Sequence, residues 1–83
     1  MNNTNKSVRP ISTIAREIAA DWKKVNFGAK PYLDAMFSLN SINDHYYFDE
    51  GKTIVLYFLA NAGTWKGEKA KAIKAELKAM CKA

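Results

Sequence analysis

The side chains able to do chemistry are few and unevenly placed. The chain has one His and one Cys. His45 follows Asp44 and precedes Asp49 and Glu50. An imidazole among carboxylates is the raw material of acid–base catalysis or a metal site. The acids do not alternate ahead of a Gly as a calcium loop requires. One His and one Cys cannot assemble a zinc site. The pattern reads instead as a surface loop leading into a helix start. Cys81, between Met80 and Lys82, has lysines nearby that lower a thiol pKa. It has no partner base except His45, and reads as a partly buried structural thiol. Gly51-Lys52-Thr53 resembles the end of a phosphate-binding loop, but the first Gly of that motif falls at position 46, where Tyr46 stands. No catalytic residue, cofactor site or metal ligand is assigned, and the chain is not expected to be an enzyme.

Charge gives a stronger signal. The net charge is +5, with eleven Lys against two Arg. Residues 1–30 carry net +4, residues 31–63 net −3 and residues 64–83 net +4. Two basic ends flank an acidic middle, and ends packed side by side would form one basic face. Arg9, Arg16 and Lys23 recur every seven residues and would share a helix face. Lys71, Lys74, Lys78 and Lys82 form a similar row near the C-terminus. Such rows bind phosphates through counterion release. Trp65, beside Lys66, is placed to stack on a base at their rim. A lysine-rich helix face is also an ordinary solubility device.

The acidic middle carries the other candidate surface. Tyr46 and Tyr47 lie among Asp44, His45, Asp49 and Glu50. Tyr buries much area with few rotamers to freeze, so an acidic, Tyr-bearing loop suits a protein partner. The wider aromatic group of Tyr32, Phe37, Tyr46, Tyr47, Phe48, Tyr57 and Phe58 is expected to be mostly core, with a few tyrosines exposed around 45–48.

Helices must position these groups. Ile11, Ile14, Ala15, Ile18, Trp22 and Val25 keep helical spacing, which predicts a first helix from Ser12, as N-cap, to Asn26. Tyr32, Ala35, Met36 and Leu39 predict a second over 31–39, opened by Pro31. Asp49 reads as N-cap of a third over 50–62, apolar on all sides and central. Thr64 reads as N-cap of a fourth over 65–82, rich in strong helix formers. The expected fold is all-α, a compact bundle of about four helices. The alternative is α+β: residues 54–60 suit a buried strand equally well, and would then pair with 46–48 in a short hairpin.

At 83 residues the chain is one domain. Residues 1–10 read as a flexible polar arm and 11–83 as a single helical domain. The longest strongly apolar run, residues 54–60, is far short of the ~20 residues of a membrane span. The polar first residues lack a secretory pattern, so a cytoplasmic location is expected. The chain is expected to be a monomer or small homo-oligomer.

Two stretches are distinctive: Asp21-Trp22-Lys23-Lys24-Val25-Asn26-Phe27-Gly28-Ala29-Lys30-Pro31-Tyr32-Leu33-Asp34-Ala35-Met36, and Tyr57-Phe58-Leu59-Ala60-Asn61-Ala62-Gly63-Thr64-Trp65-Lys66-Gly67-Glu68. With the segment between them they resemble short uncharacterised proteins encoded by bacterial phages and mobile genetic elements. The resemblance covers about residues 11–82 and carries over no activity and no site residue. It implies a small accessory protein in a bacterial host's cytoplasm that acts by binding a macromolecule. The expected function is a non-enzymatic module that binds a host or phage protein, with modulation of host defence as one outcome. The alternative is a nucleic-acid-binding accessory protein that uses the lysine faces of its first and last helices.

Overall fold

The computed structural model describes residues 9–82. The polar arm expected over 1–10 lies almost wholly outside them. Four helices and one small hairpin follow in the order α1 (Ile11–Asp21), α2 (Lys30–Met36), β1 (His45–Tyr46), β2 (Asp49–Glu50), α3 (Gly51–Ala60) and α4 (Glu68–Lys82). This is the expected helical bundle with a minor β element. Residues 54–60 are helix rather than strand, and the hairpin pairs His45 with Glu50 and Tyr46 with Asp49.

α3 is the hub. It packs on α2 on one side and α4 on the other, while α1 closes the bundle against α2 and α4. Its buried residues Gly51, Ile54, Val55 and Phe58 follow the i, i+3, i+4, i+7 spacing of one helical face. That leaves Leu56 and Tyr57 exposed, so α3 is central without being covered on all sides.

The helix limits differ from the periodicity for tertiary reasons. α1 does not use Ser12 as cap, since Pro10 occupies that position, and among the described residues no side chain caps the end. Instead the N–H groups of Ile11 and Ser12 donate to the carbonyls of Asn40 and Leu39, at 3.1 and 2.8 Å. The loop after α2 thus satisfies donors that a free helix end leaves unpaired. α1 stops at Asp21 because Trp22 leaves helical geometry (φ −93°, ψ 88°) and turns its ring into the core. α2 ends at Met36, although Leu39 beyond it is fully buried. The N-cap of α3 is Glu50, without a side-chain bond, and Asp49 belongs to β2. α4 begins at Glu68 rather than next to Thr64, because Gly67 at φ +112° turns the chain immediately before it.

The core is a single cluster among the described residues, and Phe58, Ile14, Ile18, Met36 and Leu77 are among its largest fully buried side chains. At one end sits an aromatic trio. Trp22 lies parallel to Trp65 at 5.8 Å, and both meet Phe58 edge-on at 6.2 and 6.4 Å. Such pairs add roughly 0.5–1.5 kcal/mol each beyond the area they bury. Among the described residues no helix is long and apolar enough to cross a membrane.

Candidate functional site

The hairpin is built from the stretch where the sequence placed an acidic loop. Asp44 organises its entry. Its carboxylate accepts the backbone N–H of Asn40 at 2.7 Å and of Ser41 at 3.4 Å. Its carbonyl accepts the N–H of Gly51 at 2.6 Å, which joins the hairpin base to the start of α3. Asp44 is therefore committed to holding the loop.

Tyr47 and Phe48 form the two-residue turn. Tyr47 has φ 59°, in the left-handed region. Two-residue hairpin turns need positive φ at their first central position, where Gly or Asn is usual. A Tyr there costs about 1 kcal/mol. Tyr47 is 83% exposed and Phe48 98%. The tip thus holds two large apolar side chains in water, one of them on an unfavourable backbone.

Tyr46 connects this tip to a cleft. Its ring meets Tyr47 edge-on at 4.7 Å, and it also packs against the core cluster. The cleft, about 270 Å³, lies between α2, the hairpin and α3. Tyr32, Tyr46 and Tyr57 line it together with Asp49 and Thr53. Tyr32 and Tyr57 stack at 5.4 Å across the α2–α3 seam. Tip and cleft are joined through the Tyr46–Tyr47 contact, with Asp49 exposed at the cleft and Glu50 exposed beside it, paired with His45.

Several residues differ from their expected positions. Phe37, Phe48 and Tyr57, read as core, are exposed, whereas Phe58 is buried. Tyr46 is half-buried, so only Tyr47 of the tyrosine pair stands free of the core. His45 is exposed, stands across from Glu50 and is not part of the cleft. Among the described residues no three His, Cys, Asp or Glu side chains converge on a metal-sized site. Cys81 is buried, and burial pushes its thiol pKa up, against a smaller opposing effect of Lys52. Phe27, 93% exposed in the α1–α2 loop, was not singled out by the sequence.

The lysine surface is less uniform than its spacing implies. Trp65 is 2% exposed and cannot stack on a base. Its indole N–H donates to Asp21 at 2.9 Å, and its ring is covered by Trp22. Lys74 points inward: its Nζ donates to the Trp65 carbonyl at 2.7 Å and sits 5.8 Å from the centre of that ring. Burial lowers its pKa, and Lys66 and Lys78 lower it further. Arg9 and Lys23 lie outside α1, so no shared helix face with Arg16 forms. Arg9 is occupied by two carboxylates. It donates to Glu76 at 3.0 and 2.8 Å and to Glu17 at 2.7 Å. The two basic ends do pack together, but Glu17 and Glu76 interrupt the seam. Arg16, Lys23, Lys66, Lys71, Lys78 and Lys82 remain exposed. Among the described residues no carboxylate lies within 4 Å of their charged groups.

Compared with known proteins, the chain matches no protein family, no curated protein and no solved structure.

Proposed function

We propose that the chain is a non-enzymatic interaction module that binds a protein through the tip of its hairpin. One observation carries this reading: Tyr47 and Phe48 stand 83% and 98% exposed on a turn whose backbone disfavours Tyr. Full burial of such side chains stabilises by roughly 1.5–3 kcal/mol each, and this fold forgoes it. Strain kept together with exposed aromatic surface is a mark of a binding segment. The two stretches that resemble phage and mobile-element proteins supply the context. The chain acts in a bacterial cytoplasm on a host or phage protein, and modulation of host defence is one consequence of that binding.

The test pairs stability with capture. Tyr47→Ser combined with Phe48→Ser is expected to change folding stability by less than about 1 kcal/mol, as for exposed positions generally. The same variant should lose a protein that the wild type retains from a bacterial lysate treated with nuclease. Equal capture by both proteins contradicts the reading, as does unfolding of the variant.

The nucleic-acid reading keeps one supporting observation, the unpaired exposed lysines. It has lost Trp65, Arg9 and Lys74 as contacts. Neutralising Lys66, Lys71 and Lys78 together should leave protein capture unchanged. If those substitutions abolish a salt-dependent DNA or RNA complex that forms at physiological ionic strength, the lysine face is the functional one.

A further inference from the structure

We infer that the cleft between α2, the hairpin and α3 seats an arginine side chain of the partner protein. This rests on the protein-binding reading above and names what the partner brings.

Three features of the cleft select that group. The first is aromatic lining: Tyr32, Tyr46 and Tyr57 contribute rings, and π faces attract cations. The second is charge. Among the described residues Asp49 is the sole charged one lining the cleft, and no Lys, Arg or His lines it. The surrounding segment 31–63 carries net −3 in a chain of net +5, so the local sign opposes the global one. The third is size. At about 270 Å³ the cleft lies below the roughly 300–1,000 Å³ of sites that enclose a drug-sized molecule, and fits a single long side chain.

The β ladder fixes the geometry. Tyr46 and Asp49 are directly paired across the hairpin, so their side chains leave on the same face of it. A ring and a carboxylate are thereby presented side by side. A planar guanidinium satisfies both at once, with its face against a tyrosine and its N–H edge donating to Asp49. The Thr53 hydroxyl, on the first turn of α3, is a further acceptor. A lysine ammonium satisfies the charge without the planar stacking. The hydrophobic tip residues Tyr47 and Phe48 would then bury apolar surface beside the seated cation.

The experiment uses small probes, so it does not depend on knowing the partner. Methylguanidinium chloride and the neutral, similarly shaped methylurea are titrated into the full chain at constant ionic strength, with NMR of the tyrosine rings and backbone amides. The inference predicts saturable shifts with methylguanidinium at Tyr32, Tyr46, Tyr57 and Asp49, and at least fivefold weaker binding of methylurea. Asp49→Asn, at an exposed position that leaves the core intact, should weaken methylguanidinium binding at least threefold. Equal response to both probes, shifts centred elsewhere such as at Glu17 and Asp21, or an Asp49→Asn variant that binds as the wild type does would overturn the arginine seat.

The two readings fail separately. The Tyr47→Ser, Phe48→Ser protein should still bind methylguanidinium while losing the partner. Partner loss without any probe site overturns the seat and leaves the protein-binding reading standing. A probe site with undiminished partner capture removes the tip from the interface.

Discussion

The indole of Trp65 lies on that of Trp22, ring centres 5.8 Å apart and planes 12° from parallel. This stack joins the end of α1 to the loop before α4, across 43 positions of sequence. It accompanies the early end of α1 at Asp21, while Gly67 sets the start of α4. Trp22 belongs to the apolar stripe of the first helix and Trp65 to the span predicted for the fourth, but both lie outside the helices, where their rings meet. It also removes Trp65 from any role at the surface.

Trp65→Ala should therefore lower stability by about 3–5 kcal/mol, the range for removing a buried aromatic. Trp65→Phe should cost less, because it keeps a ring against Trp22 and Phe58 but loses the bond to Asp21. Urea denaturation of the two variants gives the order. A Trp65→Ala protein as stable as the wild type would contradict the buried stack.

Gly51 joins hairpin and helix at close quarters. A Cβ there would sit 2.7 Å from the Ser41 carbonyl oxygen and 3.2 Å from that of Asp44. Both are backbone atoms and have little room to give. Gly51→Ala should destabilise by about 1–3 kcal/mol, as overpacking does, although Ala is the better helix former. Thermal denaturation decides the sign, and a raised melting temperature would refute the close approach.

Acid should loosen the α1–α4 seam. The hydrogen bond from Arg9 is the main cause that holds Glu17 below its ordinary carboxylate range, and burial opposes it. A lowered carboxylate stabilises fully above its unfolded value of roughly 4.3. That stabilisation is lost as pH falls through the folded value. Arg9→Met removes it and leaves Glu17 and Glu76 facing each other. The variant should be less stable at pH 7 by up to about 1 kcal/mol, since both side chains of the pair are a third exposed. The two stability curves should converge as pH falls below about 4.3, the ordinary carboxylate value. Parallel curves would exclude the pair as a source of stability.

Lys74 predicts the opposite kind of change. Burial, then Lys66 and Lys78, lower its pKa. A lysine lowered on folding carries an unfavourable charge at every pH below its folded value, and stability rises as pH climbs through that value. At neutral pH relief must come from its neighbours. Lys78→Gln removes a like charge at i+4 and should stabilise by about 0.2–0.5 kcal/mol. The gain should shrink in 1 M salt. A lower melting temperature for Lys78→Gln at low salt would refute the repulsion.

Much of the fold was legible because it rests on periodicity. The stripe Ile73, Leu77 and Met80, with Ala70 beside it, identifies α4, though Cys81 rather than Met80 is the buried member, and Ile11, Ile14, Ala15, Ile18 identify α1. What periodicity could not supply were events decided by distant residues. The cap of α1 comes from the carbonyls of Asn40 and Leu39, and no local residue announces it. The hairpin strands have two residues each, too short for an alternation to register. The turn also lacks the Gly or Asn that usually marks one.

The candidate surface was legible in part. The acidic, tyrosine-bearing stretch stood out by composition, but the exposure of Phe48 and Tyr57 did not, since an aromatic among apolar neighbours reads as core. One signal for Tyr57 was present. Taking Ile54, Val55 and Phe58 as the buried face leaves Tyr57 off it. Reading residues 54–60 as uniformly apolar concealed that face. The lysine rows were placed by spacing alone, which could not show that Arg9 is held by Glu76 and Glu17 or that Lys74 turns back onto Trp65.

The central claim is that the hairpin tip meets a protein. The most direct measurement is photo-crosslinking inside bacterial cells that produce the chain, with a photoreactive phenylalanine derivative at position 48 in one protein and at position 71 in another. The account predicts a discrete polypeptide adduct from position 48 and none from position 71. A nucleic-acid adduct from position 71 with no polypeptide adduct from position 48 would contradict it.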